Sequence, residues 1–200
     1  MGLSKYHLGY VNLPEDKAAF GLRAKEIELQ QVFEKMNYKP SSEIVTIAVL
    51  GCADKRFVAG HKEIFEKLFN RKVDAITFDI TVEHLQGEEN VIEHDCTKPL
   101  PNGPFDLIFA HILLKFMPPE KQWLVLQNSY NALKQGGVAL FFMDVGGKSQ
   151  ITSMLVEGFY QIPLEEIKKK LSKARIKFRN MIIKSPIEHT RDLECLVLLK

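Results

Sequence analysis

Cysteine is scarce and scattered: Cys52, Cys96 and Cys195 are the whole complement of the 200 residues. An odd, widely spaced set argues against a disulfide framework and fits a reducing compartment. No Cys-x-x-Cys pair occurs, and the six histidines lack metal-ligand spacing, so no metal is expected. Excess charge of one sign is also missing. The formal net charge of +2 names no polyanionic partner. No apolar run approaches the ~20 residues that cross a bilayer, so no membrane partner is expected. The N-terminal MGLSKYHLGYVNLPED has no hydrophobic signal core, so export is not expected and a cytoplasmic location is. Gly2 opens a myristoylation pattern, but Tyr6 stands where Ser or Thr is needed. Internal repeats and low-complexity tracts are missing too.

What is present is the composition of one ordinary globular domain, 46% hydrophobic and 26% charged. Residues 1–20 read as a polar and aromatic arm carrying Tyr6, His7 and Tyr10; packing against the first helix is its plain role. From Leu22 to Met36, the apolar residues Leu29, Val32, Phe33 and Met36 recur at helical spacing. This arm and helix, 1–40, precede a domain over 41–200. Ile44 to Leu50 is an apolar run, interrupted only by Thr46 and rich in β-branched residues, as in a strand covered on both faces. A helix follows, with Ile64, Phe65, Leu68 and Phe69 on one side. Strands are predicted at Asp74–Asp79, Asn90–Glu93, Phe105–Ala110 and Val138–Met143. A helix with Trp123, Leu126, Tyr130 and Leu133 on one side lies between the last two. Alternating strands and helices with short connections imply a parallel, doubly wound sheet. Beyond a helix striped by Leu164, Ile167 and Leu171, two strands (Ile176–Ile183 and Glu194–Leu199) are joined too closely for a crossover. They must be antiparallel. The expected fold class is therefore α/β, with a mostly parallel seven-stranded sheet, a C-terminal antiparallel pair and helices on both faces.

Chemistry in such sheets gathers outside the carboxyl ends of the strands. Gly51 opens the turn after the first strand, where backbone N–H groups approach a ligand. A plain strand-to-helix turn, with Asp54, Lys55 and Arg56 in water, is the alternative. Asp79 ends the second strand. An acceptor-only carboxylate there suits a ribose diol, although it lies further past Gly51 than the ~20 residues of the dinucleotide fingerprint. Asp95 and Cys96 follow the third strand. Cys52 and Cys96 have no obvious activating base and read as packing residues. His111 follows the fourth strand and suits proton transfer; packing against a neighbour is its other reading. Asp106 reads as structural. The basic stretch Lys168 to Arg179 suits a phosphate-rich partner such as RNA, or forms the wet side of a helix.

The segment Asn90 to Met143 carries Asp95, the turn PLPNGP, the strand FDLIFA and the Gly136-Gly137 turn. In these features, and in five parallel strands followed by an antiparallel pair, the chain resembles the class I S-adenosylmethionine-dependent methyltransferases. The resemblance implies S-adenosylmethionine as cofactor and makes the N-terminal arm a lid over it. It places Gly51, Cys52, Ala53 and Asp54 at the methionine part, with Lys55 or Arg56 near its carboxylate. Asp79 and Ile80 fall at the ribose, and Asp95 and Cys96 at adenine. His111 becomes the candidate catalytic residue, as an acid/base or acceptor-orienting group. The family loop usually has an acid, one intervening residue and three alternating glycines. Here those positions hold Val49, Gly51, Ala53 and Lys55. A lysine at a position needing positive φ would cost ~1–2 kcal/mol. A non-catalytic, partner-binding member of the fold is therefore the first alternative. An RNA methyltransferase is the second. A small-molecule or protein acceptor is expected ahead of nucleic acid, since the Asn/Asp-Pro-Pro-aromatic signature of amino-methylating nucleic-acid enzymes is absent after the fourth strand. The oligomeric state is not legible.

Overall fold

The structure is a computed structural model that describes residues 8, 9, 11, 13–144, 159–184, 186 and 192–200. Helix α1 (Glu15–Met36) leads into β1 (Ile44–Leu50), α2 (Arg56–Phe69), β2 (Lys72–Asp79), β3 (Val91–Glu93) and β4 (Phe105–His111). Helix α3 (Pro119–Asn131), β5 (Leu133–Met143), α4 (Leu164–Lys173), β6 (Lys177–Ile183) and β7 (Leu193–Leu199) complete the order. The strands form one seven-stranded sheet in the order β3-β2-β1-β4-β5-β7-β6. The pairs β1–β2, β1–β4, β2–β3 and β4–β5 are parallel. Strand β7 runs antiparallel to both β5 and β6. This is the expected α/β fold with its C-terminal antiparallel pair.

Period-2 alternation splits each central strand between two cores. Val45, Ile47 and Val49 of β1 face Leu29, Val32 and Phe33 of α1 and Ile64 and Phe65 of α2. Ala48 and Leu50 face Val125 and Leu126 of α3 and Leu164, Ile167 and Leu171 of α4. At α4 the lysines therefore lie away from the buried stripe, and Lys168 pairs with Glu165 at 2.8 Å.

Helix α1 starts at Glu15, seven residues before the predicted Leu22. Pro14 precedes it, and Glu15 and Asp16 fill the first turn, where carboxylates meet the positive end of the helix dipole. The apolar stripe is weak there because its buried members are the small Ala18 and Ala24. Strand β5 likewise starts at Leu133, ahead of Val138, with a register shift opposite Phe105 to Leu107. Helices α1 and α2 touch closely. A Cβ on Gly60 would lie 2.6 Å from the Leu22 Cδ2, so a larger residue there would make the Leu22 side chain shift. Among the described residues no helix is long and apolar enough to cross a membrane. Tyr6, His7 and Tyr10 of the expected lid lie outside the described residues.

Candidate functional site

Parallel strands end their carboxyl edges together, so the turns after β1, β2 and β3 meet. The Gly51 N–H donates to the Phe78 carbonyl (2.7 Å), and the His94 N–H donates to the Asp79 carbonyl (2.7 Å). Asp79 is buried at this junction. One of its carboxylate oxygens accepts the Cys52 N–H (2.7 Å) and the other accepts the Thr81 N–H (3.2 Å). His84 closes the other side by donating from Nε2 to the Cys52 carbonyl (2.6 Å). The β1 turn is thereby stitched to the β2 turn.

Gly51 itself has φ +78°, and a Cβ there would sit 3.0 Å from the Leu113 Cδ1. A side chain would be both strained and crowded. The two departures from the family glycines have no such cost. Lys55 is right-handed helical, with φ −56°, and Ala53 is not among the positive-φ residues. The lysine starts α2 and does not occupy a left-handed turn.

Asp54 is buried and takes the Arg56 N–H and Nε, each at 2.9 Å, together with the Arg56 Nη2. Burial raises its carboxyl pKa, but these bonds outweigh burial and hold it below the usual carboxylate range. Arg56 also donates to the Leu13 carbonyl (2.9 Å), which ties the chain before α1 to the loop. Cys52 is buried, and its thiol is pushed up to about 12 by burial. Cys96 is half-buried, and burial pushes its thiol to about 12 as well. Neither is a ready nucleophile. Asp95 is half-buried. One oxygen accepts the Thr97 hydroxyl (2.7 Å) and N–H (3.0 Å), which lowers its pKa. Its second oxygen has no partner among the described residues. Ile80 presents an apolar side chain at 51% exposure directly beside Asp79.

His111 stands apart from this adenosine-side group, at the end of β4 toward α1. Its Nε2 lies 2.9 Å from the Glu28 Oε2. The imidazole is 21% exposed, whereas the Glu28 side chain beneath it is 3% exposed. Phe109 and Phe142 flank the ring, with centroids at 6.1 and 5.6 Å. Two further ionisable groups line the same place. The Lys25 Nζ sits 4.1 Å above the Phe57 ring, and among the described residues no carboxylate lies within ion-pair distance of it. His61 is buried between Phe57 and Phe109, and neither of its ring nitrogens has a partner among the described residues. Burial, then the charge of Lys25, hold His61 well below the ordinary histidine pKa.

Gly51, Cys52, Asp79, His94 and Thr81 are thus brought into one hydrogen-bonded cluster, with Ile80 and Cys96 at its margin. Lys25, Glu28 and His61 do not emerge from motif reading. Their signal is a conflict of pattern: continuing the α1 stripe backward from Leu29 and Val32 by one turn places Lys25 and Glu28 on the buried face. Charges on an otherwise apolar stripe are the sequence mark of a built polar site.

Comparison with known proteins agrees with the fold. Residues 50–141 match the family described as methyltransferase domain. Over that stretch, a little under half of the chain, the sequence is similar to the methyltransferase domain. Its fold is similar to N-methyltransferase NodS from Bradyrhizobium japonicum WM9 in complex with S-adenosyl-L-homocysteine (TM-score 0.57, 14% identity, covering 88% of this chain and 86% of that one). It is similar to magnesium protoporphyrin IX methyltransferase from Synechocystis PCC 6803 with the same ligand (TM-score 0.57, 14% identity, 88% and 86%). Human N-acetylserotonin methyltransferase in complex with S-adenosylmethionine also shares the fold (TM-score 0.60, 20% identity, 91% and 52%). A stretch of 80 residues is 31% identical to carboxy-S-adenosyl-L-methionine synthase of Psychrobacter sp. (strain PRwf-1). That stretch spans 36% of this chain and 29% of the relative.

Proposed function

We propose that this chain binds S-adenosylmethionine and moves its methyl group to a small-molecule or protein acceptor. The observation that carries this reading is the junction at Asp79, where the turns after β1 and β2 and the start of the β3 turn are bonded into one edge. The donors and acceptors there suit an adenosine. Asp79 is a buried, acceptor-only carboxylate at the end of β2, which is the chemistry that suits a ribose hydroxyl. The free oxygen of Asp95 suits the adenine amino group, with the Cys96 backbone beside it. The exposed face of Ile80 offers apolar cover for the base. Gly51, Cys52 and Ala53 let backbone approach the methionine part. Asp54 holds Arg56 at the start of α2, and both support that turn from behind. The cofactor supplies an electrophilic methyl carbon; the protein aligns the acceptor with it and excludes water. N-acetylserotonin and magnesium protoporphyrin IX, in the names of two similar structures, are small molecules, which supports a small acceptor.

The Asp54–Arg56 pair and the committed Cys52 N–H also favour a second reading. With the usual charges of the methionine end engaged inside the protein, the chain would keep the fold and bind a partner without catalysis.

A thermal-shift titration with S-adenosylhomocysteine separates the two. At a hundredfold excess over Kd, the ligand should stabilise the native state by about 2.7 kcal/mol, or roughly 5–10 °C for a chain of this size. Ile80→Asp should abolish that shift and leave the unliganded melting temperature nearly unchanged, because the side chain is exposed. A wild-type protein that does not respond at millimolar ligand is the non-catalytic protein of the second reading.

A further inference from the structure

We propose that His111 is the base that removes the acceptor's proton through Nδ1, and that Glu28 is the positioning residue that holds it ready. The inference rests on the methyl-transfer reading and narrows its acceptor to a group bearing an O–H or N–H that must be deprotonated.

The tautomer follows from bonding. The Glu28 carboxylate only accepts, so the 2.9 Å contact requires a proton on Nε2. A neutral ring then carries its lone pair on Nδ1, which has no hydrogen-bond partner among the described residues. Burial is asymmetric in the matching sense. Glu28 is sealed between α1 and the sheet, while the imidazole keeps an open side at the carboxyl end of β4. Phe109 and Phe142 flank the ring, so the dyad points in one direction.

The surroundings keep the ring unprotonated before reaction. Burial is the main cause of its lowered pKa; the Glu28 bond opposes it, and Lys25 and Lys115 add to it. Every element packed here contributes a named group: Lys25 and Glu28 from α1, His61 from α2, Lys115 after β4, and the Cys195 thiol from β7, near Glu28. In the reaction the acceptor's O–H or N–H bond breaks and its proton passes to Nδ1. Its electron pair forms the new bond to the methyl carbon, and the carbon–sulfur pair stays on sulfur. The resulting imidazolium lies against the Glu28 carboxylate, which stabilises it. This is the orienting and charge-matching role of an acid behind a histidine base.

Long-range 1H–15N NMR of the uniformly labelled protein tests the dyad without any acceptor. The His111 signals are assigned by their loss in His111→Gln. At neutral pH the ring should be neutral, protonated on Nε2 and bare on Nδ1. Folded Glu28→Gln should lower its apparent pKa by about 1 unit, because a favourable charge is lost. Glu28→Asp should lower it less. A second measurement places the base. Carbethoxylation of His111, followed by mass spectrometry, should slow several-fold when saturating S-adenosylhomocysteine is bound. An Nδ1–H tautomer, an unmoved pKa in folded Glu28→Gln, or unprotected His111 in liganded protein would each overturn the proposal. Should the ligand produce no thermal shift, the methyl-transfer reading fails, and the base assignment fails with it even if the tautomer holds.

Discussion

Strand β4 carries an ionisable side chain near each end, and the two ends are built on different rules. Asp106, near the start, is buried and accepts four donors: the Ser42 hydroxyl, the Thr46 N–H (2.8 Å), the Thr46 hydroxyl (2.9 Å) and the Lys134 ammonium (2.9 Å). Both of its oxygens are engaged within the protein. His111, at the other end, uses one nitrogen on Glu28 and keeps the second. Around it, His61 has two unpartnered nitrogens and Lys25 has an aromatic face in place of a carboxylate. A saturated network stabilises, whereas unspent polar capacity in a buried place costs stability and marks where chemistry is built.

The amino end gives the largest effect. Asp106→Ala removes one acceptor from four donors, two of them on Thr46, inside a partly buried site. It should cost about 3–5 kcal/mol in urea unfolding, the range for breaking a buried charge network. The affinity for S-adenosylhomocysteine should stay within twofold. The acid dependence has a defined sign. Burial raises the Asp106 carboxyl, but Ser42, Lys134 and Thr46 together bring it below its unfolded value. Its stabilisation is complete above about pH 4 and is lost as pH falls through the folded pKa. Asp106→Asn should flatten that part of the profile. A cost below ~1 kcal/mol would mean that water can replace the carboxylate, and the contrast between the two ends would collapse.

The carboxyl end predicts the opposite direction. His61→Phe keeps the ring's shape between Phe57 and Phe109 and deletes two unsatisfied nitrogens. It should stabilise the protein by about 1–3 kcal/mol. The His61 pKa is depressed in the folded state, so the unfolded chain binds the proton first as pH falls. Wild-type stability should therefore decline below about pH 6.5, and more steeply than in the phenylalanine variant. Urea midpoints at pH 5 and pH 8 read both effects. A destabilised variant would show that the imidazole is satisfied after all.

The same contrast explains what the sequence disclosed. Short apolar runs rich in β-branched residues, such as Ile44 to Leu50 with Thr46 as its one polar member, suit strands covered on both faces, so the sheet was legible. Asn37 and Asn70 end α1 and α2 in the left-handed conformation that asparagine tolerates, a cue that marks both helix ends. The positions of Gly51, Asp79, Asp95 and His111 at the carboxyl edge also followed from strand ends. Partners were another matter. That Asp54 would turn inward to Arg56, or that His111 would meet a residue 83 positions earlier, depends on helix packing set by Gly60 and Leu22. Lys55 illustrates the same limit in reverse. Its cost was conditional on a positive φ, and the early start of α2 removes the condition.

The smallest expected effect sits immediately after His111. Ile112 has φ +59°, a conformation that costs a β-branched residue about 1–2 kcal/mol, while its N–H is held by the Phe142 carbonyl (2.9 Å). No residue of β4 itself has a positive φ. Ile112→Gly and Ile112→Ala both discard the half-buried side chain, but only glycine also relieves the backbone. Alanine ordinarily ranks above glycine by roughly 0.5–1 kcal/mol within regular elements. At this position the order should invert, with glycine the more stable variant by about 1 kcal/mol in urea unfolding. Alanine ahead of glycine would mean that the turn carries no strain. The carboxyl end of β4 would then hold its histidine in a relaxed backbone, as the amino end holds its aspartate.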